Sequence, residues 1–138
     1  MMLPHQATAV AIGTRALLIE GPPGAGKSSL ALALIDRGAR LIGDDSLMLA
    51  IAGGRLLAHP HPATHGLLEV RGLGLLRFEV CDGAPASLVL RLDEAAPRHV
   101  EQAEDVDLAG VPVPMLRLQP GGPILHLKAE LALQRYGL

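Results

Sequence analysis

Lys27 and Ser28 close the stretch GPPGAGKS, residues 21–28, which satisfies the pattern G-x-x-x-x-G-K-[ST]. Glycines let backbone N–H groups turn inward, so Gly21, Pro22, Pro23, Gly24, Ala25, Gly26, Lys27, Ser28 and the following Ser29 form a candidate cradle for nucleotide phosphates. Lys27 supplies a point charge for the β- and γ-phosphates and the Ser28 hydroxyl can ligate Mg2+, so ATP and Mg2+ are the expected ligands. Two adjacent carboxylates, Asp44 and Asp45, follow in the stretch GARLIGDD. Neighbouring residues at a strand end project to opposite sides, so the pair divides two tasks. One can face a metal, while the other can take the proton from an attacking hydroxyl. In LLEVRGLGLL, residues 67–76, Glu69 and Arg71 flank one valine and share a face of an extended chain, and Gly72 and Gly74 permit close backbone approach. Plainer readings exist for both: a turn carboxylate for the aspartates, and a surface hairpin with a salt bridge for Glu69 and Arg71.

The elements that must position these residues follow from pattern. Apolar runs at residues 7–12 and 16–20, joined by Gly13-Thr14, predict a hairpin whose second strand feeds the glycine loop. Leu30, Ala31, Leu34 and Ile35 recur at three- and four-residue spacing, which predicts a helix over residues 27–37 stopped by Gly38. Residues 40–43 read as a short strand ending at the aspartates, and residues 46–52 pair with 55–58 across Gly53-Gly54. Residues 71–80 and 87–92 read as strands, 93–110 as a mobile polar surface segment, 111–118 as an edge strand because of Pro112 and Pro114, and 124–135 as a closing helix. Strand, loop, helix and further strands make an α/β class with a mixed-sheet core.

Composition narrows the partners. The 138 residues fit one domain, with no second domain to form a small-molecule pocket. The 12 basic and 14 acidic residues nearly cancel and form no cationic run, so nucleic acid is not the expected partner. No apolar stretch approaches the ~18 residues of a membrane span. Cys81 is the single cysteine, which excludes an intrachain disulfide and points to a cytoplasmic protein.

The glycine loop, the helix ending in Arg37-Gly38, the aspartate pair and LEVRGLGLL, in this order, resemble the HPr kinase/phosphorylase family over about residues 5–80. The resemblance implies a P-loop core related to phosphoenolpyruvate carboxykinase, and a single catalytic domain over residues 1–138 without the family's N-terminal domain. It further implies an ATP-dependent kinase acting on a serine of the phosphocarrier HPr, able to reverse the reaction by phosphorolysis, and a homo-oligomer. Carried over by position, Lys27 and Ser28 serve ATP and Mg2+, Asp44 is the general base, Asp45 and Glu69 serve the metal, and Arg71 belongs to phosphorolysis and substrate handling. The family has a histidine ahead of the first strand, where His5 and Gln6 stand here, and an arginine after the signature strands, for which Arg98 is the nearest candidate. Two other readings remain open: a nucleotide-binding regulatory module without catalysis, and a P-loop kinase of a small metabolite.

Overall fold

Four consecutive apolar residues, Ala16, Leu17, Leu18 and Ile19, are 0% exposed, as in a strand covered on both faces. In the computed structural model, which describes residues 2–138, they belong to β3 (Arg15–Glu20), inside a nine-stranded mixed sheet. The chain runs β1 (Met2–His5), β2 (Thr8–Ile12), β3, α1 (Lys27–Asp36), β4 (Arg40–Gly43), β5 (Leu47–Ala52), β6 (Arg55–Pro60), β7 (Leu67–Val70), β8 (Gly74–Arg77), β9 (Ala84–Leu92), β10 (Glu104–Leu108), β11 (Val111–Leu118) and α2 (Leu125–Tyr136). Across the sheet the order is β1-β5-β6-β9-β3-β2-β4, and β11, carrying β10 on its outer edge, joins the C-terminal half of β9. β9 is parallel to both β3 and β11, whereas β2 is antiparallel to β3 and β4.

The two faces of the sheet bury separate cores. One packs Leu17, Ile19, Leu88 and Leu90 against Leu30 and Leu34 of α1 and Leu133 of α2. The other closes on itself as the sheet curls, gathering Leu18, Leu49, Val89, Val113 and Met115 with small residues at Ala9, Ala11, Ala16 and Ala86 that let the strands approach. α1 ends where its sequence says. Gly38 sits at φ 107 and donates to Ile35 O while Ala39 N donates to Leu34 O, the two bonds of a Schellman ending.

Several elements differ from expectation. The strand expected over residues 71–80 is instead β8 of a separate two-stranded sheet, paired antiparallel with β7, and Arg71, Gly72 and Leu73 are the turn between them. Gly72, at φ 90 in the turn, breaks the extended run before β8 begins at Gly74. Within the segment expected to be mobile, residues 104–108 form β10, whose Glu104, Asp105 and Asp107 lie on an exposed edge strand, where charge discourages pairing with other chains. β11 has neighbours on both sides, but its pairing with β9 begins only at Met115, so Pro112 and Pro114 fall where it is bonded on one side. β1 was not anticipated; it pairs with β5, placing Leu3 opposite Leu49. No helix among the described residues is long and apolar enough to cross a membrane.

Candidate active site

The C-terminal ends of β3, β4 and β9 and the β7–β8 turn surround one cleft of about 1390 Å³. Loop residues 21–29, Asp44, Asp45, Glu69 and Arg71 all line it, so residues read from three separate stretches of sequence converge. Arg98 is exposed and lies outside that lining.

The loop leaves β3 and enters α1 without a break. A Cβ on Gly21 would lie 3.1 Å from the carbonyl oxygen of Leu92 and 3.3 Å from the Ala25 Cβ, so only glycine threads between the end of β9 and the loop's own turn without displacing them. Ala25 N donates to Pro22 O at 3.1 Å, which closes that turn. Gly26 is the helix N-cap at φ 98; no side chain caps α1 and no acidic residue stands in its first turn. The first-turn N–H groups and the positive end of the helix dipole therefore have no protein carboxylate to satisfy them. Lys27 Nζ bends back to donate to Gly21 O at 2.9 Å and Pro22 O at 3.1 Å, which holds its charge over the loop.

The two aspartates have different surroundings. Asp44 Oδ1 accepts from Ser28 Oγ at 2.7 Å and from Thr8 Oγ1 at 3.0 Å, and its Oδ2 accepts from Glu69 N at 3.0 Å. Asp45 takes φ 63, its N–H donates to Thr8 Oγ1 at 3.1 Å, and its exposed carboxylate accepts no hydrogen bond among the described residues. The adjacent pair thus points to different environments, but by a bend after β4 in which Asp45 is left-handed rather than by the alternation of an extended strand. Thr8, 0% exposed, connects both aspartates and was not singled out from sequence. A polar residue opening an otherwise apolar strand was the only available signal. Glu69 and Arg71 are exposed, and no ion pair joins them among the described residues.

Glu20, the residue before the loop, and Arg91 were also missed. Glu20 Oε2 accepts from His5 Nε2 at 3.1 Å and Oε1 from Arg91 Nη2 at 3.0 Å. The hydrogen bond from His5 holds the Glu20 carboxyl below the usual carboxylate range; burial opposes this and Arg91 reinforces it. His5, on β1, lines the cleft itself and is tied there to Glu20.

These residues fit a magnesium nucleotide. The uncapped, acid-free helix start suits polyphosphate, and Ser28 Oγ with Asp44 supplies hard oxygen donors 2.7 Å apart. Among the described residues no three His, Cys, Asp or Glu side chains gather closely enough to hold a metal on their own.

The profile of the HPr Serine kinase C-terminal domain matches residues 4–92. An HPr kinase/phosphorylase of Clostridium tetani is 47% identical over 137 residues, covering 88% of this chain and 45% of the relative. Another, of Bordetella petrii, is 36% identical over 116 residues, covering 75% of this chain and 38% of the relative. The chain thus spans less than half the length of these curated relatives. The solved HPr(Ser) kinase/phosphatase from Coxiella burnetii superposes with a TM-score of 0.86 at 24% identity over 96% of this chain and 88% of that one, which shows the same mixed α/β fold.

Proposed function

The chain belongs to the HPr serine kinase C-terminal domain family, and from that premise we propose an ATP- and Mg2+-dependent protein kinase that phosphorylates a serine of an HPr-type phosphocarrier. The observation that carries this reading is the 2.7 Å hydrogen bond from Ser28 to Asp44, which joins the glycine loop to the aspartate pair within one cleft. A small-metabolite kinase would need a lid or substrate helix between loop and aspartates, and α1 and β4 fill that interval. A cytoplasmic setting and a homo-oligomeric assembly belong to the same proposal.

Bound Mg·ATP supplies the transferable phosphoryl group and the metal charge that offsets its developing negative charge. The loop N–H groups and Lys27 orient the phosphates, and Ser28 serves the metal side. Asp44, with both oxygens already accepting hydrogen bonds, is suited to that same side. Asp45, exposed and unengaged, is suited to take the proton of the acceptor hydroxyl and to return it in phosphorolysis. This hydrogen bonding supports an exchange of the roles that the family resemblance implied for the two aspartates. Glu69 and Arg71 line the cleft from the facing hairpin, where Glu69 is suited to serve the metal and Arg71 to handle the acceptor.

The test is transfer of γ-labelled phosphate from ATP to HPr serine. Wild type should label the acceptor, and Lys27→Ala and Asp45→Asn should not. Asp45→Asn should keep its Mg·ATP affinity within about threefold, since a base acts on the acceptor proton, whereas Asp44→Asn should weaken binding by about tenfold. A folded wild type that binds Mg·ATP yet labels no serine would overturn the kinase reading and leave a regulatory module.

A further inference from the structure

Glu20, the last residue of β3, and Arg91, the next to last of the adjacent parallel β9, stand directly opposite in register. Arg91 Nε and Nη2 lie 3.3 and 3.0 Å from the same oxygen, Glu20 Oε1, so the carboxylate fixes the plane of the guanidinium. The Arg91 side chain is 32% exposed and lines the cleft beside the glycine loop. A guanidinium carries five N–H donors. Among the described residues Glu20 is the only acceptor that Arg91 has, so the Nη1 edge remains available to the cleft. A carboxylate next to a phosphate cradle is electrostatically adverse, and here both of its oxygens are covered, one by His5 and one by Arg91. The network therefore turns negative charge inward and an oriented cation outward.

We propose that Arg91 is an anion-binding residue of this cleft, donating to a phosphoryl oxygen, and that Glu20 is the positioning residue that orients it. The proposal rests on the glycine loop binding phosphates, and the test separates the two. Binding of Mg·ATP and of inorganic phosphate is measured by calorimetry for wild type, Arg91→Met, Arg91→Lys, Glu20→Gln and the Glu20→Gln/Arg91→Met double variant. Arg91→Met should raise the Kd about tenfold, the worth of one charge-assisted hydrogen bond, and should flatten the salt dependence of binding. Arg91→Lys, which keeps the charge and the fold but loses the fork, should weaken binding about threefold, and so should Glu20→Gln. The double variant should match Arg91→Met. An effect on inorganic phosphate alone would identify free phosphate as the ligand, and an effect on Mg·ATP, with or without one on phosphate, would identify the nucleotide. If wild type binds either probe and Arg91→Met and Arg91→Lys bind both equally well, the proposal is overturned. Recovery of wild-type affinity in the double variant would also overturn it, since Arg91 would then only neutralise Glu20. Failure of wild type to bind either probe would sink the phosphate-loop reading itself, and this proposal with it.

Discussion

The glycine loop and the β7–β8 hairpin face each other across one cleft and are held in opposite ways. The loop issues from β3, buried on both faces, and runs into a helix whose Leu30, Ala31 and Leu34 are buried, so its position is fixed from both ends. The hairpin is a separate two-stranded sheet; every residue of β8 is exposed, with Leu75 at 66%, and Leu73 in the turn is at 73%. Two-stranded hairpins are marginal in water on their own. What holds this one is Leu68, 0% exposed in the helix-side core, the partly buried Val70 and Phe78 packed against the same core, and the bond from Glu69 N to Asp44. The phosphate-binding groups thus sit on the rigid side, and Glu69 and Arg71 come from a part with few anchors.

The contrast can be broken most directly at Leu68. Leu68→Ala removes the hairpin's single fully buried side chain and should cost about 2–5 kcal/mol of stability in urea unfolding. A cost below about 1 kcal/mol would mean that the hairpin is held by something other than this core. Asp44→Ala comes next. It leaves the buried Thr8 hydroxyl and the Glu69 amide without their acceptor, which should cost about 1–3 kcal/mol. Amide exchange should then accelerate over residues 67–77 and stay unchanged in α1; equal acceleration in both would show that the two sides are coupled.

Legibility followed locality. The loop, α1 and its stop at Gly38 were readable because each is specified by residue types within one turn of chain. The hairpin turn was not, because Leu73, Leu75 and Leu76 imitate a buried strand while standing in solvent. β10 has no apolar alternation, and its extended form comes from pairing with β11. Thr8 and Asp44 meet across 36 positions and Glu20 and Arg91 across 71, so neither partnership leaves a spacing that a single sequence can display.

Acid sharpens the comparison, because only the loop side carries an ionic clasp of this kind. The Glu20 carboxyl lies below its unfolded range in the folded protein, chiefly through the hydrogen bond from His5, so the native state favours the charged form. That stability is fully present above the unfolded carboxylate pKa and is lost as pH falls through the folded value. The stability advantage of wild type over Glu20→Gln in urea unfolding at neutral pH should therefore shrink as pH falls below about 4. A difference independent of pH would show that the carboxylate's charge contributes nothing.

The smallest effect is expected at the hairpin tip. Leu73 and Leu75 are already in water, so replacing both with serine removes almost no burial and should shift stability by no more than about 0.5 kcal/mol. Mg·ATP affinity should also stay the same, because the groups proposed to hold phosphate lie on the opposite wall. A fall of more than about 1 kcal/mol that grows with protein concentration would mean that a second copy of the chain covers these leucines. The hairpin would then owe its place to assembly, and the contrast with the loop would hold only for the isolated chain.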